Sequence, residues 1–155
     1  TEMKKIAVFP GSFDPFTKGH EAVVQKALHV FDEIVIAIGV NSTKKSVFEL
    51  EKRKQHIQSL FVNGEAIKIV TFNSLTVDLC KEVGAKHIVR GLRDSKDFGY
   101  ERSIAHMNNT LSGIETVFFL TNQEFAAINA TIVREIYNNK GAISAFVSNS
   151  HLLEA

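Results

Sequence analysis

Glu33-Ile34-Val35-Ile36-Ala37-Ile38-Gly39 is an unbroken apolar run between an acid and a glycine. It lacks the alternation of a half-exposed strand and reads as a strand covered on both faces. Upstream, from His20 onward, Val24, Ala27, Leu28 and Phe31 keep the i, i+3, i+4, i+7 spacing of an amphipathic helix. Before that, Lys5-Ile6-Ala7-Val8-Phe9 is a short β-rich run halted by Pro10-Gly11. Strand, helix and strand in succession make a βαβ unit.

Downstream the alternation continues. Residues 49–61 carry Leu50, Ile57, Leu60 and Phe61 on one side and charges on the other, a surface helix with Ser46 and Glu49 at capping-box spacing. Residues 66–72 alternate as a strand. Residues 75–83 form a short helix, with Gly84 where a left-handed cap belongs and Cys80 as a buried, reduced, inert thiol. Residues 87–91 are a strand, 100–111 a helix, 115–120 a strand, and 131–138 a helix ending before Gly141; the tail 146–153 is a further short helix. This order predicts an α/β single-domain, doubly wound five-stranded parallel sheet, a Rossmann-like dinucleotide-binding fold over residues 1–155. Such sheets bind ligands at the carboxyl ends of their strands, where strand order reverses. The places to look are therefore just after Phe9, Gly39, Phe72, Val89 and Leu120.

Composition narrows the classes. The chain has 155 residues, 45% hydrophobic and 23% charged, which excludes wholesale disorder. Eighteen Lys plus Arg against 17 Asp plus Glu leave a formal charge of +1, giving no general attraction to nucleic acid or to an acidic membrane. The single cysteine excludes an intrachain disulfide and a cysteine-rich zinc site. Apolar runs such as 34–40 fall well short of the roughly 20 residues of a membrane helix. No basic-then-apolar segment opens the sequence, so a cytoplasmic location is expected. Thr1 and Glu2 precede Met3 and are left out of the fold reading.

The strand ends hold the chemistry. After the first strand comes Pro10-Gly11-Ser12-Phe13-Asp14-Pro15-Phe16-Thr17-Lys18-Gly19-His20. Taken singly, Asp14 reads as a local cap and His20 as a solvated residue. Clustered with Gly11, Ser12 and Gly19 at the mouth of a βα unit, they point to an anion at a helix start. Lys44, after the second strand, is alone a solvated residue of a turn; at a strand end it is a flexible point charge within reach of phosphate. After the third strand, Asn73 and Ser74 are candidate caps. After the fourth, Arg90-Gly91-Leu92-Arg93-Asp94 sets two arginines together. Arg93 has Asp94 and Asp97 as local partners, yet two guanidiniums beside the first loop suggest a polyphosphate clamp.

Thr17-Lys18-Gly19-His20 resembles the (H/T)xGH signature of the nucleotidylyltransferase superfamily. Preceded by Pro-Gly-Ser-Phe-Asp-Pro, it is similar to the phosphopantetheine adenylyltransferase family, as are Arg90-Gly91-Leu92-Arg93, Asp97-Phe98, Tyr100-Glu101 and His106-Met107-Asn108. The resemblance implies adenylyl transfer from ATP to 4′-phosphopantetheine, giving dephospho-coenzyme A and pyrophosphate. It further implies a catalytic set of His20 (transition-state stabiliser), Ser12, Lys44 and Arg93. Substrate contacts would come from Ser12, Lys44, Thr76 and Arg90. ATP contacts would come from Ser12, Phe13, His20, Gly91, Leu92, Arg93 and Glu101, and from Phe125, Ala126, Ala127, Ile128, Asn129, Ala130 and Thr131. Mg²⁺ is expected on the ATP with no protein metal site, coenzyme A as a further ligand, and a homohexamer. His106 is read as a packed helix histidine. One segment departs: where the family has Ile-Ser-Ser-(Ser/Thr)-x-x-(Arg/Lys), this chain keeps Ile128, Thr131 and Arg134 but has Asn129 and Ala130 in place of serines. Helix amides would still hold phosphate there, with one hydroxyl donor lost.

A phosphomonoester is mostly dianionic at neutral pH and needs no general base, so a site without a carboxylate dyad or cysteine suits this transfer. Competing readings are another small nucleotidylyltransferase acting on nicotinate mononucleotide or glycerol phosphate, and a non-catalytic nucleotide-binding sensor. The sensor needs no second phosphate pocket, which Lys44 and Arg90 argue for.

Overall fold

The computed structural model describes residues 3–41, 43–61, 64 and 66–154. In chain order the elements are β1 (Ile6–Gly11), α1 (Lys18–Ala27), β2 (Glu33–Gly39), α2 (Leu50–Leu60), β3 (Ile67–Phe72), α3 (Thr76–Val83), β4 (His87–Leu92), α4 (Ser95–Ser112), β5 (Glu115–Leu120), a short 3-10 turn (Gln123–Phe125), α5 (Ala130–Asn138) and α6 (His151–Glu154). The strands form one parallel sheet in the order β3-β2-β1-β4-β5. The chain winds outward from β1 through β2 to β3, then crosses back to β4 and β5, so strand order reverses between β1 and β4. Their shared register is Ala7 with His87 and Val8 with Ile88. Beyond Val8 the two strands part, and the gap between their carboxyl ends becomes the crevice.

Side-chain alternation sorts the core into two layers. Ala7, Phe9, Ile34, Ile36 and Ile38 pack with Val24 and Ala27 of α1 and Ile57 of α2. Val8, Val35, Ala37 and Ile88 face the other way, against Val77, Leu79 and Cys80. Burial pushes the Cys80 thiol up to about 11, as suits an inert core residue. A third cluster, Phe48, Val133, Ile143, Val147 and Leu153, seats the C-terminal tail. From there the Phe146 carbonyl accepts the Lys18 N–H at 2.9 Å, in the first turn of α1.

β2 and β5 run as the sequence predicts; several other boundaries differ for physical reasons. β1 is not halted by Pro10-Gly11: Pro10 pairs with Ala37 and Gly11 with Ile38. Proline is tolerated there because β1 has already left β4 and keeps only β2 beside it. α1 starts at Lys18 and is capped by Thr17, not Asp14, and it ends at Ala27, so Phe31 is buried from a turn. The expected Ser46–Glu49 capping box does not form; Glu49 is the N-cap with no side-chain bond. Neither Asn73 nor Ser74 caps α3, whose N-cap is Leu75, although Gly84 does close it at φ 76. α4 starts five residues before the predicted Tyr100, because Asp94 caps it by accepting the Asp97 N–H at 2.9 Å. His106 on α4 is exposed, not packed. The tail is mostly turns, with helix only at His151–Glu154.

Candidate active site

The loop from Gly11 to His20 builds one wall of the crevice. Phe13 holds φ 47, in the left-handed region that a bulky residue rarely enters. Its ring lies over Gly11, where any Cβ would meet it at 2.9 Å, so glycine is required. Thr17 and His20 close a reciprocal cap: His20 N–H donates to Thr17 Oγ1 at 3.4 Å, and Thr17 N–H donates to His20 Nδ1 at 2.9 Å. A ring nitrogen that accepts carries no proton, so the proton sits on Nε2. Phe13, Phe16 and Phe9 surround the imidazole at centroid distances of 5.1, 5.3 and 6.1 Å. Burial, then Arg90 and Arg93, push the His20 pKa down to about 3. At neutral pH His20 is an uncharged N–H donor with a fixed tautomer.

The opposite wall comes from the end of β4. Arg90 donates to both oxygens of Glu101, Nη2 to Oε1 at 2.6 Å and Nε to Oε2 at 3.0 Å, and Nη1 donates to the Pro10 carbonyl at 2.7 Å. Arg93 donates to Asp97 Oδ2 at 3.2 Å and to the Ile128 carbonyl at 3.1 Å. Gly91 lets this strand approach α1, since a Cβ there would meet Val23 at 2.7 Å. The third wall is the start of α5. Asn129 caps it by accepting the Thr131 N–H at 2.8 Å, and Arg134 donates to Thr131 Oγ1 at 2.9 Å and to the Asp14 carbonyl at 3.0 Å.

These walls enclose a cavity of about 410 Å³. It is lined by Ser12, Phe13, His20, Arg90, Gly91, Arg93, Glu101, Phe125, Ile128, Asn129, Ala130 and Thr131 among the residues read from sequence. Leu92, Ala126 and Ala127 are near in sequence but do not line it. A second cavity of about 300 Å³ adjoins it and shares Pro10, Gly11, Arg90 and Glu101. Its own lining includes Phe72, Thr76, Ile88, Tyr100, Ile104 and Asn108, so Thr76 belongs here. Lys44 lines neither cavity and stands exposed on the loop after β2.

Two groups were not singled out from sequence as site residues. Arg134 lies one helical turn after Thr131 and reaches the first cavity; that i, i+3 spacing was its signal. Tyr100, Ile104 and Asn108 share one face of α4 at four-residue spacing and line the second cavity.

A parallel sheet with two arginines lining a cavity at its switch point, beside a helix-capping histidine, fits a nucleotidyltransferase, and residues 8–136 match the family model described as Cytidylyltransferase-like. Over 141 residues the chain is 47% identical to the phosphopantetheine adenylyltransferase of Flavobacterium psychrophilum, covering 91% of this chain and 93% of that one. It is 41% identical over 151 residues to that of Porphyromonas gingivalis, covering 97% and 99%. The fold also matches a bifunctional NMN adenylyltransferase/ADP ribose pyrophosphatase from Francisella tularensis, solved with AMP and a manganese ion. That match has a TM-score of 0.67 at 21% identity and covers 98% of this chain and 49% of that one. The chain belongs to the phosphopantetheine adenylyltransferase family.

Proposed function

We propose that the protein transfers the adenylyl group of ATP to 4′-phosphopantetheine, giving dephospho-coenzyme A and pyrophosphate. The observation that carries this reading is the meeting of two unlike cavities at Arg90 and Glu101. The first is ringed by Arg90, Arg93 and Arg134 and suits a triphosphate. The second is walled by Phe72, Ile88, Tyr100 and Ile104 and suits a long uncharged arm whose terminal phosphate lies at Arg90. Nicotinate mononucleotide and glycerol phosphate have no such arm, and a nucleotide sensor needs only the first cavity.

The chain then has little covalent chemistry to perform. The substrate phosphate, already a dianion, attacks the α-phosphorus; one P–O bond forms as the bond to the pyrophosphate oxygen breaks. The His20 Nε2–H and the Ser12 and Phe13 groups donate to the transferring phosphoryl, where charge builds. Arg90 holds the attacking phosphate; Lys44, outside both cavities, would have to swing in from its loop to join it. Arg93, Gly91 and the 129–131 segment hold the β- and γ-phosphates, with Phe125 and Ile128 beside the nucleotide and Thr76 beside the arm. Glu101 acts through Arg90, whose guanidinium it orients.

All three carboxylates of the first cavity are engaged: Asp14 with the Val47 and Phe48 amides, Asp97 with Arg93 and Glu101 with Arg90. Such a lining suits a cation carried on the nucleotide. Mg²⁺ carried by ATP would supply charge neutralisation there. Residues 1–155 on this reading make one nucleotidylyltransferase domain, acting in the cytoplasm and inhibited by coenzyme A, which carries the product's groups. A homohexamer is part of the same reading, and the exposed apolar residues Met107 and Leu111 of α4 leave surface free for association. The test is pyrophosphate release from ATP alone and with 4′-phosphopantetheine, nicotinate mononucleotide or glycerol phosphate. Release is expected only with 4′-phosphopantetheine; release with either other acceptor instead overturns the reading.

A further inference from the structure

Arg53 on α2 is 6% exposed, and among the described residues it makes no ion pair. Its guanidinium is aimed at carbonyls. Nε donates to Phe48 O at 3.0 Å, Nη1 to Ser12 O at 2.7 Å, and Nη2 to Ser46 Oγ at 3.4 Å. The carboxylate nearest in effect, Asp14, is already engaged by the Val47 and Phe48 amides at 2.8 and 2.9 Å. A buried cation without a carboxylate partner is costly, so its placement needs a reason. Fastening the 46–48 segment accounts for the bond to Phe48. It does not account for the shortest bond, which crosses 41 positions of sequence to the loop beside His20.

That bond orients a peptide plane. In a trans peptide the C=O and the following N–H point in opposite directions. Drawing Ser12 O toward α2 therefore turns the Phe13 N–H away from it. Ser12 and Phe13 both line the first cavity, and among the described residues the Phe13 N–H has no hydrogen-bond partner. From the other side Arg134 holds the Asp14 carbonyl at 3.0 Å. Phe13, at φ 47, is pinned between two arginines that hold the carbonyls on either side of it. A left-handed phenylalanine persists only where its surroundings impose it.

We propose that Arg53 is a positioning residue: it sets the Ser12–Phe13 peptide from behind, so that the Ser12 hydroxyl and the Phe13 N–H stand ready for the transferring phosphoryl before ATP binds. This rests on the function proposed above for the same cavity. Arg53 touches no substrate and acts through the loop.

The test uses the full chain with Arg53→Met and Arg53→Lys, each checked for folding by circular dichroism. Lysine keeps the stem and the charge but offers one compact head in place of the fork. Both variants are expected to lose roughly 10–100-fold in kcat, the scale for losing a group that orients a binding group, with KM for ATP changed far less. An amide NMR titration with ATP alone gives a readout independent of the acceptor. The Phe13 resonance is expected to move in the wild type and to stay in the variants, while resonances at 129–131 still respond. Folded variants with wild-type kcat, or a Phe13 amide that follows ATP as before, would overturn the proposal. Should Arg53→Met fail to fold, Arg53→Lys decides. A wild type that binds ATP but releases no pyrophosphate with 4′-phosphopantetheine defeats the proposed function, and the Phe13 amide still judges Arg53.

Discussion

Two segments face each other across the first cavity and are held in different ways. In the loop before α1, residues 13–17 are all buried, and its bonds run to backbone, to a reciprocal cap and to Arg53. In the segment leading into α5, only Val133 of residues 125–134 is buried, and the turn is held by the Asn129 cap, by Arg134 on Thr131 Oγ1 and by Arg93 reaching across to the Ile128 carbonyl. The first wall presents two donors, the His20 ring and the Phe13 N–H, that cannot move without disturbing the core. The second is a more exposed, adjustable edge, and it carries Asn129 and Ala130. On the proposed function, fixed donors suit the phosphorus under attack, where charge develops, and a looser grip suffices for the phosphates that leave.

Substitution on the fixed wall should therefore cost most. His20→Ala is expected to lower kcat by roughly 10²–10⁴-fold, the range for losing one preorganised donor plus some misalignment, with ATP binding largely kept. Steady-state kinetics beside calorimetric ATP titration measures both. Near-normal turnover would make the two walls equivalent.

Arg90, at the junction of the cavities, should come next. Arg90→Ala removes a bidentate partner and leaves Glu101, only 14% exposed, without its cation. The loss of 4′-phosphopantetheine affinity is expected to be about 1.5–3 kcal/mol, the worth of a charge-assisted bond, and larger than the loss for ATP. Titrating each ligand separately checks this; equal losses would mean the anion pockets are divided wrongly.

Changes on the adjustable wall should be small. Asn129→Ala removes the cap on Thr131 and should lower stability by about 1 kcal/mol, read from a denaturant midpoint at constant slope. Ala130→Ser should change ATP affinity by no more than about 1 kcal/mol, one neutral hydrogen bond. The Thr131 N–H is already taken by Asn129, so Thr131→Pro, in the first turn of α5, should mainly forfeit that cap. A large fall in KM for ATP from Ala130→Ser would show that hydroxyls, not geometry, set the grip on this side.

What the sequence reveals and hides follows from the same contrast. β2 was legible to the residue because Glu33 and Gly39 bound an apolar run that both layers of the core require. The Gly11–His20 loop was legible because glycine, serine and histidine cluster where a strand meets a helix. The start of α4 was not: Ser95-Lys96-Asp97-Phe98-Gly99 carries no apolar period, and the helix buries none of its residues. Arg53 and His56 are polar residues of a helix that reads as a surface one, yet both are buried. Their partners are the carbonyls of Ser12 and Ser148, each 2.7 Å away across the fold, and a backbone carbonyl leaves no mark in sequence. The histidine in the α1 capping box was hidden too, since that position usually holds Glu or Gln.

The first wall holds His20 as an uncharged donor with its proton on Nε2. With a folded pKa of about 3 against 6.5 unfolded, the folded state resists protonation, so His20 contributes stability that is present above pH 6.5 and lost as pH falls toward 3. The direct measurement is a nitrogen-correlated NMR titration of the His20 ring in the ligand-free protein. The Nε2–H tautomer is expected throughout, with no titration step between pH 8 and pH 5. A step centred near 6.5, or a proton on Nδ1, would contradict it.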